Sequence, residues 1–328
     1  MIQIGSYFLI FWMLLTMLII GCKKDEEIVS TQEPVSNWIV QSSNITNNLK
    51  SVCFVNEFTG YAAGNSFPND TNKIIKTTNG GLNWFRKQSV DSLSFNCIYF
   101  RDVNTGYAAG SKGKIIRTTN GGDSWSVLPT PVTDIINDIR FFDPQKGIAS
   151  GYSGVILTTS NGGDTWQLIS TQTQAGLYSI SINSPGEAFV CGDGGLILYS
   201  NNYGASWVVQ PAITIYSLKS ISFVNANTGY SCGQHGTIIK TTNKGANWSA
   251  LTTPTTTEFT SLFFTDDNTG FFTGDYGSIH KTKDGGNTFR KVSAVTVNYL
   301  RKVYFIDSSK GWVVGEYGTI LSTINGGD

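Results

Sequence analysis

The sequence predicts an all-β fold, a seven-bladed β-propeller with four-stranded antiparallel blades, on three observations. A short phrase, as in Thr77-Thr78-Asn79-Gly80-Gly81-Leu82-Asn83-Trp84, recurs along the chain. Each repeat holds four short apolar runs separated by turns rich in glycine and asparagine. A seventh copy begins at Thr323, and residues that match its missing end lie at Asn37-Trp38. The repeats are therefore expected to close into a ring.

The phrase ends in an aromatic residue, and from position 84 to position 289 this residue recurs every 41 residues. The repeat aromatics are Trp38, Trp84, Trp125, Trp166, Trp207, Trp248 and Phe289. Gly80 and Gly81 suit positive φ in a tight hairpin, and the side-chain oxygen of Asn79 can accept backbone amides. The aromatic is expected to pack under that hairpin. We interpret all of these residues as structural.

One repeat shows how each blade is built. Residues 220–224, 230–233, 237–241 and 248–251 read as four short strands with turns between them. So small a sheet cannot bury both faces by itself, and radial stacking of seven sheets solves this. The ring is predicted to close when the strand at Trp38 joins the last blade beside residues 319–322.

The chain begins with a predicted targeting segment. Residues 7–20 form an apolar run that suits a signal peptide and is short for a membrane span. It ends at Ile19-Ile20-Gly21-Cys22, which resembles the lipobox of bacterial lipoproteins and implies acylation of Cys22. A plain N-terminal membrane anchor is the alternative.

The predicted domains are a signal peptide at 1–21, a polar tether at 22–36 and the propeller at 37–328. The charged cluster of residues 23–27 resembles a surface-export signal. We therefore expect a lipid-anchored protein of the cell envelope, in the outer membrane and exposed at the surface.

Composition excludes several classes of function. The net charge is zero with 14% charged residues, so no nucleic-acid partner is expected. The sequence has no cluster of histidine and cysteine with metal-ligand spacing, so no metal or cofactor is expected. Cys191 and Cys232 occupy a position that small residues hold in other repeats. Cys53 and Cys97 lie on adjacent first strands, where a disulfide is conceivable in an oxidising compartment.

The repeats resemble the photosystem II stability and assembly factors. The resemblance rests on strands of the Thr-Gly-Tyr-Ala-Ala-Gly type at 59–64, 105–110, 228–233 and 269–274, each followed by a copy of the recurrent phrase, although not every copy keeps Asn-Gly-Gly. The phrase itself resembles the Asp-box, or BNR repeat. Among the copies in this chain, only the one at Asp284 has an aspartate where the others have an asparagine. The resemblance implies a non-enzymatic assembly scaffold with an arginine-rich partner site. The six arginines of this chain are scattered, so that patch is not visible.

A glycan-binding propeller or a glycoside hydrolase, sialidase-like or glucanase-like, is the alternative, because Asp-boxes also occur in those enzymes. Sialidases carry an Arg-Ile-Pro motif that this chain lacks. Hydrolysis by paired carboxylates needs two acids at one cleft. The candidates Asp193, Asp275 and Glu316 each sit beside glycines and are more simply turn residues. We therefore predict that the protein is not an enzyme.

A partner is expected on the face formed by the loops between second and third strands. The candidate residues are Phe67, Asp70, Tyr152, Asp193, His235, Asp275, Tyr276, Glu316 and Tyr317. A second candidate is a polar ring at the start of the first strands, made of Lys50, Asn96, Asn137, Tyr178, Lys219, Thr260 and Arg301. Aromatic side chains beside polar groups suit a protein or glycan partner at the envelope.

Overall fold

The computed structural model describes residues 37–65, 74–87, 93–211, 213–292 and 295–328. These residues belong to one compact unit, Pro34–Asp328. Cys22 and the predicted signal peptide and tether lie outside the described residues. Within the described residues, no helix has the length and apolar character needed to cross a membrane.

The described residues form seven four-stranded antiparallel sheets, which confirms the predicted propeller. The chain first forms β1 (Ile39–Gln41). Blade 1 is β2 (Asn48–Phe54), β3 (Gly60–Asn65), β4 (Ile74–Thr77) and β5 (Phe85–Lys87). Blade 2 is β6 (Phe95–Phe100), β7 (Gly106–Gly110), β8 (Ile115–Thr118) and β9 (Ser126–Leu128). Blade 3 is β10 (Ile136–Phe141), β11 (Gly147–Gly151), β12 (Ile156–Thr159) and β13 (Gln167–Ile169).

The remaining blades repeat this order. Blade 4 is β14 (Leu177–Ser184), β15 (Glu187–Gly192), β16 (Ile197–Ser200) and β17 (Val208–Val209). Blade 5 is β18 (Leu218–Phe223), β19 (Gly229–Gly233), β20 (Ile238–Thr241) and β21 (Ser249–Ala250). Blade 6 is β22 (Phe259–Phe264), β23 (Gly270–Gly274), β24 (Ile279–Thr282) and β25 (Arg290–Lys291). Blade 7 is β26 (Leu300–Phe305), β27 (Gly311–Gly315) and β28 (Ile320–Thr323), completed by β1.

The N-terminal strand closes the ring, as predicted. β1 pairs antiparallel with β28, with Ile39 opposite Ser322 and Gln41 opposite Ile320. Trp38, which precedes β1, is only 2% exposed and packs edge-on against Phe305 at 5.8 Å between ring centroids. The two ends of the described propeller are therefore fastened by backbone pairing and by one buried aromatic.

Adjacent blades are held together by stacked aromatic rings. An aromatic on the second strand of one blade lies flat against the first-strand phenylalanine of the next blade. The pairs and their centroid separations are Tyr61–Phe100 3.7 Å, Tyr107–Phe141 4.5 Å, Phe189–Phe223 4.0 Å, Tyr230–Phe264 4.0 Å, Phe271–Phe305 4.3 Å and Trp312–Phe54 3.5 Å. The last pair joins blade 7 to blade 1, so the stacking continues across the closure.

This packing explains the Thr-Gly-Tyr motif. A Cβ on Gly60 would lie 2.5 Å from ring carbons of Phe54, so the ring leaves no room for a side chain there. Tyr61, the next residue, reaches across to blade 2, where its hydroxyl donates to the Gly121 carbonyl at 2.8 Å. Lys76 donates to the same carbonyl at 2.7 Å. The motif thus ties each such blade to the hairpin of the following one.

The recurrent phrase adopts the predicted hairpin. Gly80 and Gly81 have φ of 70° and 94°. The Asn79 side-chain oxygen accepts the Asn83 amide at 2.9 Å, and the Thr77 hydroxyl accepts the Gly81 amide at 2.9 Å. Trp84 is 2% exposed beneath the hairpin. In this repeat the phrase therefore forms a turn with a buried aromatic beneath it.

The other repeat aromatics occupy the same place. Trp125, Trp166 and Trp248 pack edge-on against first-strand phenylalanines at centroid separations of 6.0, 6.0 and 6.1 Å. Phe289 instead packs against Phe272 at 5.4 Å. In blade 4 the first strand carries an isoleucine at that position, and the Trp207 indole donates to the Gly204 carbonyl at 3.0 Å.

The four cysteines of the described residues are buried free thiols. Cys191 and Cys232 have no exposed surface, in keeping with the small apolar position that the repeats predict. Cys53 and Cys97, for which a disulfide was conceivable, are also unpaired. Among the described residues, no group of three histidine, cysteine or acidic side chains is placed to hold a metal ion.

Candidate binding face around the channel mouth

The turns between second and third strands form one surface, which we call the turn face. In the described residues, the turn face comprises the short 3-10 turns Ser111–Gly113, Asp193–Gly195, Gln234–Gly236, Asp275–Gly277 and Glu316–Gly318, and the corresponding turn at 152–154 of blade 3. The first amide of each turn donates to the carbonyl that precedes or begins the first strand, as from Asp275 to Glu258 at 3.2 Å. This contact fixes the turn against the inner edge of its own blade.

The middle residue of each turn has a left-handed backbone. Blade 4 places Gly194 there, with φ of 64°, and a Cβ at that position would meet nothing within 4 Å. Blades 5, 6 and 7 place aromatic residues instead, namely His235, Tyr276 and Tyr317, with φ of 54–55°. This conformation costs a residue with a side chain roughly 1–2 kcal/mol. Three adjacent blades thus hold aromatics at a strained position that accommodates glycine.

These aromatics are exposed, and two of them, His235 and Tyr276, meet aromatics from neighbouring loops. Tyr276 is 64% exposed and Tyr317 is 61% exposed. Tyr276 lies edge-on to Tyr299 at 5.3 Å, and His235 lies against Tyr216 at 4.4 Å. Such rings form rigid, partly apolar contact surfaces with polar edges.

The Asp193 carboxylate is held by hydrogen bonds within the propeller. Its carboxylate accepts hydrogen bonds from the Tyr178 hydroxyl at 2.7 Å, the Ser217 hydroxyl at 2.8 Å and the Gly176 amide at 3.1 Å. Burial opposes the ionised form, but these hydrogen bonds outweigh it and lower the pKa of Asp193. Because Ser217 belongs to blade 5, Asp193 joins two blades.

The acids of blades 6 and 7 surround one arginine. Glu316 forms an ion pair with Arg301, and Asp275 lies near both groups. Burial is the main cause that raises the pKa of Asp275; Arg301 lowers it and Glu316 raises it further. A carboxyl group with a raised pKa beside a second carboxylate is a feature of acid–base sites as well as of structural ion clusters.

The polar ring lies next to this face, so the two predicted surfaces are one. Lys50 donates to Asn96 at 2.9 Å, and Asn96 donates to Asn137 at 2.8 Å. Lys219 lies 3.9 Å from the ring centre of Tyr178. Contacts such as Tyr178 with Asp193 connect the ring to the turns. The ring residues lie near the start of the seven first strands, and these strands line a central cavity.

The structure brings most of the predicted site residues together. Tyr152, Asp193, His235, Asp275, Tyr276, Glu316 and Tyr317 all lie in the turns of this face. Phe67 and Asp70 lie outside the described residues. Tyr216 and Tyr299 were missed. They come just before first strands, where the predicted blade order already places loops on the same face, but no repeat pattern marks them.

Comparison with known proteins gives partial sequence matches and a shared fold. The family model described as photosynthesis system II assembly factor YCF48 matches residues 125–211. No curated protein matches the chain in sequence. A structure of YCF48 bound to D1 peptide has a TM-score of 0.74 and 21% identity, covering 88% of this chain and 97% of that chain. YCF48 from Cyanidioschyzon merolae has a TM-score of 0.73 and 18% identity, with coverage of 87% and 98%.

Other propellers are similar in fold. The structure of an ancestral GH74 enzyme has a TM-score of 0.67 and 15% identity, covering 86% of this chain and 46% of that chain. These identities establish a common architecture rather than a common activity. The resemblance that the repeats indicate is confirmed: the chain is a seven-bladed β-propeller that carries a YCF48-type repeat over residues 125–211 and resembles YCF48 in its whole fold.

Proposed function

We propose that the protein is a non-enzymatic scaffold whose turn face binds a protein segment. The observation that carries the proposal is the set of aromatics at left-handed positions in adjacent blades, His235, Tyr276 and Tyr317. Local backbone strain is a pointer to function, but Lys112 and Ser153 occupy the same left-handed position in blades 2 and 3, so it is the aromatic side chains that set blades 5 to 7 apart. None of the three rings is needed inside a blade core, whereas exposed aromatics beside polar groups are typical of protein interfaces.

The chemistry of the face favours an extended peptide. The aromatic pairs His235–Tyr216 and Tyr276–Tyr299 present rings at the surface, and Asp275 and Glu316 place carboxyl groups near Arg301. A segment with both apolar and basic side chains would meet complementary groups there. The YCF48 structure with a D1 peptide supports a protein partner for a propeller of this type.

Site-specific photo-crosslinking tests the proposal. A photoreactive phenylalanine at position 276 would lie on the turn face, and one at Phe85 provides a control. Phe85 is an aromatic of outer strand β5 that is 58% exposed, similar to Tyr276. We expect a discrete protein adduct in cell envelopes from position 276 and none from position 85. Equal adducts from both positions, or none from either, would refute the proposal.

A glycan-directed function is the second candidate, favoured by the raised pKa of Asp275 near Glu316 and by the fold shared with a GH74 enzyme. It predicts that the purified propeller is retained on polysaccharide columns or releases reducing sugar. Substitution of Asp275 by asparagine would then abolish sugar release. A protein scaffold predicts neither retention nor release, so the two functions are separable in one set of assays.

We further propose that the propeller is anchored to the envelope through lipidated Cys22, with residues 22–36 as a tether. The support is the sequence Ile19-Ile20-Gly21-Cys22 alone. Two or more acyl chains would give stable membrane attachment. We expect the chain to incorporate a labelled fatty acid, and Cys22→Ala to lose the label. Retention of the label in Cys22→Ala would contradict lipidation at this residue.

A further inference from the structure

We infer that the central channel contains a binding site for a small oxyanion, such as phosphate or a free carboxylate, between Lys302 and Arg140. The channel encloses a cavity of about 350 Å³, lined by the first strands of all seven blades. A water molecule occupies about 30 Å³ in the liquid, so the space admits a small anion with part of its hydration shell. Lys302 comes from blade 7 and Arg140 from blade 3.

Lys302 has no anionic group bound to it. Its ammonium makes no hydrogen bond and no ion pair with any of the residues that the structure describes. Burial is the main cause that lowers the pKa of Lys302, and the nearby Arg140 charge lowers it further. An enclosed cation beside a second cation is unfavourable, and a bound anion would neutralise it.

Arg140 uses only some of its hydrogen-bond donors. One terminal nitrogen of its guanidinium pairs with Asp138 at 2.7 Å and donates to the Ile139 carbonyl at 2.7 Å. The guanidinium has five N–H donors, and no hydrogen bond from its remaining nitrogens is formed within the described residues. Its side chain is 26% exposed, so these donors are accessible from the channel.

Asp138 does not neutralise Lys302 as well as Arg140, because its carboxylate already pairs with Arg140 and accepts hydrogen bonds from backbone amides. It accepts the Ile139 amide at 2.9 Å and the Ile180 amide of the next blade at 3.0 Å, besides the contact with Arg140. Its side chain is only 6% exposed. Asp138 therefore neutralises one of the two cations and leaves the channel with one positive charge in excess.

The thiols and phenols that line the cavity or lie near Lys302 do not supply a negative charge. Burial raises the pKa of the Cys53 thiol, raises that of Cys97 to about 12 and raises that of Cys232 well above its ordinary value. Burial likewise raises the pKa values of Tyr99 and Tyr304. All five groups are neutral at physiological pH, so the excess charge remains.

Hydroxyl groups around the channel can complete an anion site. The hydroxyl oxygens of Ser179, Ser220 and Ser261 accept backbone amides from the following blade at 3.3–3.4 Å. Accepting a bond leaves each hydroxyl proton free to donate. Ser181 accepts the Phe223 amide at 2.9 Å in the same way. Of these serines, Ser179, Ser181 and Ser220 line the cavity. Two cations and several hydroxyl donors suit a ligand with multiple acceptor oxygens.

Calorimetry and thermal unfolding of the propeller with inorganic phosphate, and separately with citrate, test this inference. Ionic strength is held constant with chloride, so that general screening does not change. The variant Lys302→Gln removes the uncompensated cation, and Lys302→Arg keeps it. The matched control is Lys291→Gln, an exposed lysine on outer strand β25. The two ligands separate a tetrahedral oxyanion from a carboxylate.

We expect saturable binding of at least one anion by the original chain, by Lys302→Arg and by Lys291→Gln. Lys302→Gln should bind at least about tenfold more weakly, a change of about 1.4 kcal/mol. Without anion, Lys302→Gln should melt no lower than the original chain, because it relieves repulsion with Arg140. Absence of saturable binding, or equal binding by Lys302→Gln, would overturn the inference. Since the channel lies inside the ring, this result is independent of protein capture by the turn face.

Discussion

Truncation of Trp38 should open the propeller at its closing blade. Trp38 is the main buried anchor of β1, because Ile39 and Val40 are 62% and 60% exposed. Its ring contacts Phe305 and Phe271 at centroid separations of 5.8 and 6.3 Å. A buried tryptophan removes 150–250 Å² from water, and truncation of such a residue to alanine costs roughly 3–5 kcal/mol.

The loss of stability in Trp38→Ala should be concentrated at the closing blade. A matched variant in another blade should lose stability without this local effect. Trp166→Ala removes an equally buried tryptophan, 5% exposed and 6.0 Å from Phe141. However, the strand after Trp166 is joined to its partner β12 by a short hairpin, whereas β1 has no covalent neighbour in blade 7. Loss of Trp38 therefore removes the contact that holds β1 to β28.

Hydrogen exchange read by mass spectrometry measures this effect. In Trp38→Ala, we expect faster exchange in peptides that contain Ile39–Gln41 and Ile320–Thr323 under native conditions. In Trp166→Ala, these two strands should keep their protection while overall stability falls by a similar amount. Unchanged exchange at β28 in Trp38→Ala would refute the closure that we describe.

Two other substitutions test the packing. Burial and the Lys291 charge lower the pKa of His280 to about 4, so a neutral imidazole is favoured in the fold. The contribution of the neutral His280 imidazole to the free energy of unfolding is fully present above the unfolded pKa of about 6.5, and it is lost as pH falls through 4. Urea unfolding should show this decline, and His280→Ile, the residue type of Ile239, should flatten it; an unchanged pH profile would contradict this. Gly270→Ala puts a Cβ 2.5 Å from the Phe264 ring and should cost about 1–3 kcal/mol in urea unfolding, whereas a neutral effect would contradict the required absence of a side chain.

The fold could be predicted from the sequence because its interactions repeat with the sequence. Each hairpin uses its own glycines and asparagine, so a local phrase specifies a local structure. Even the closure was predictable, since Asn37-Trp38 completes a phrase that begins at Thr323. The links between blades were not foreseen. The donation from Tyr61 to Gly121 joins residues of different repeats, and periodicity alone does not show which groups meet.

The candidate site was predicted only in part for the same reason. The position of Tyr276 and Tyr317 follows from the blade order, but their left-handed backbone does not follow from any residue pattern. The sequence placed Asp193 among the candidate partner residues and among the turn residues, but it did not show the three hydrogen bonds that hold its carboxylate. Lys302 and Arg140 lie 162 positions apart and come together only because the first strands surround one channel.

The proposed role of the turn face is tested most directly by Tyr317→Asn. Asparagine tolerates the left-handed conformation better than tyrosine, and no aromatic partner of Tyr317 is found among the described residues. We predict that the melting temperature stays the same or rises, by an amount equivalent to at most about 1 kcal/mol, while recovery of the position-276 crosslinked partner falls at least about tenfold. Retained partner recovery with unchanged or raised stability would contradict the claim that this strained aromatic is kept for binding.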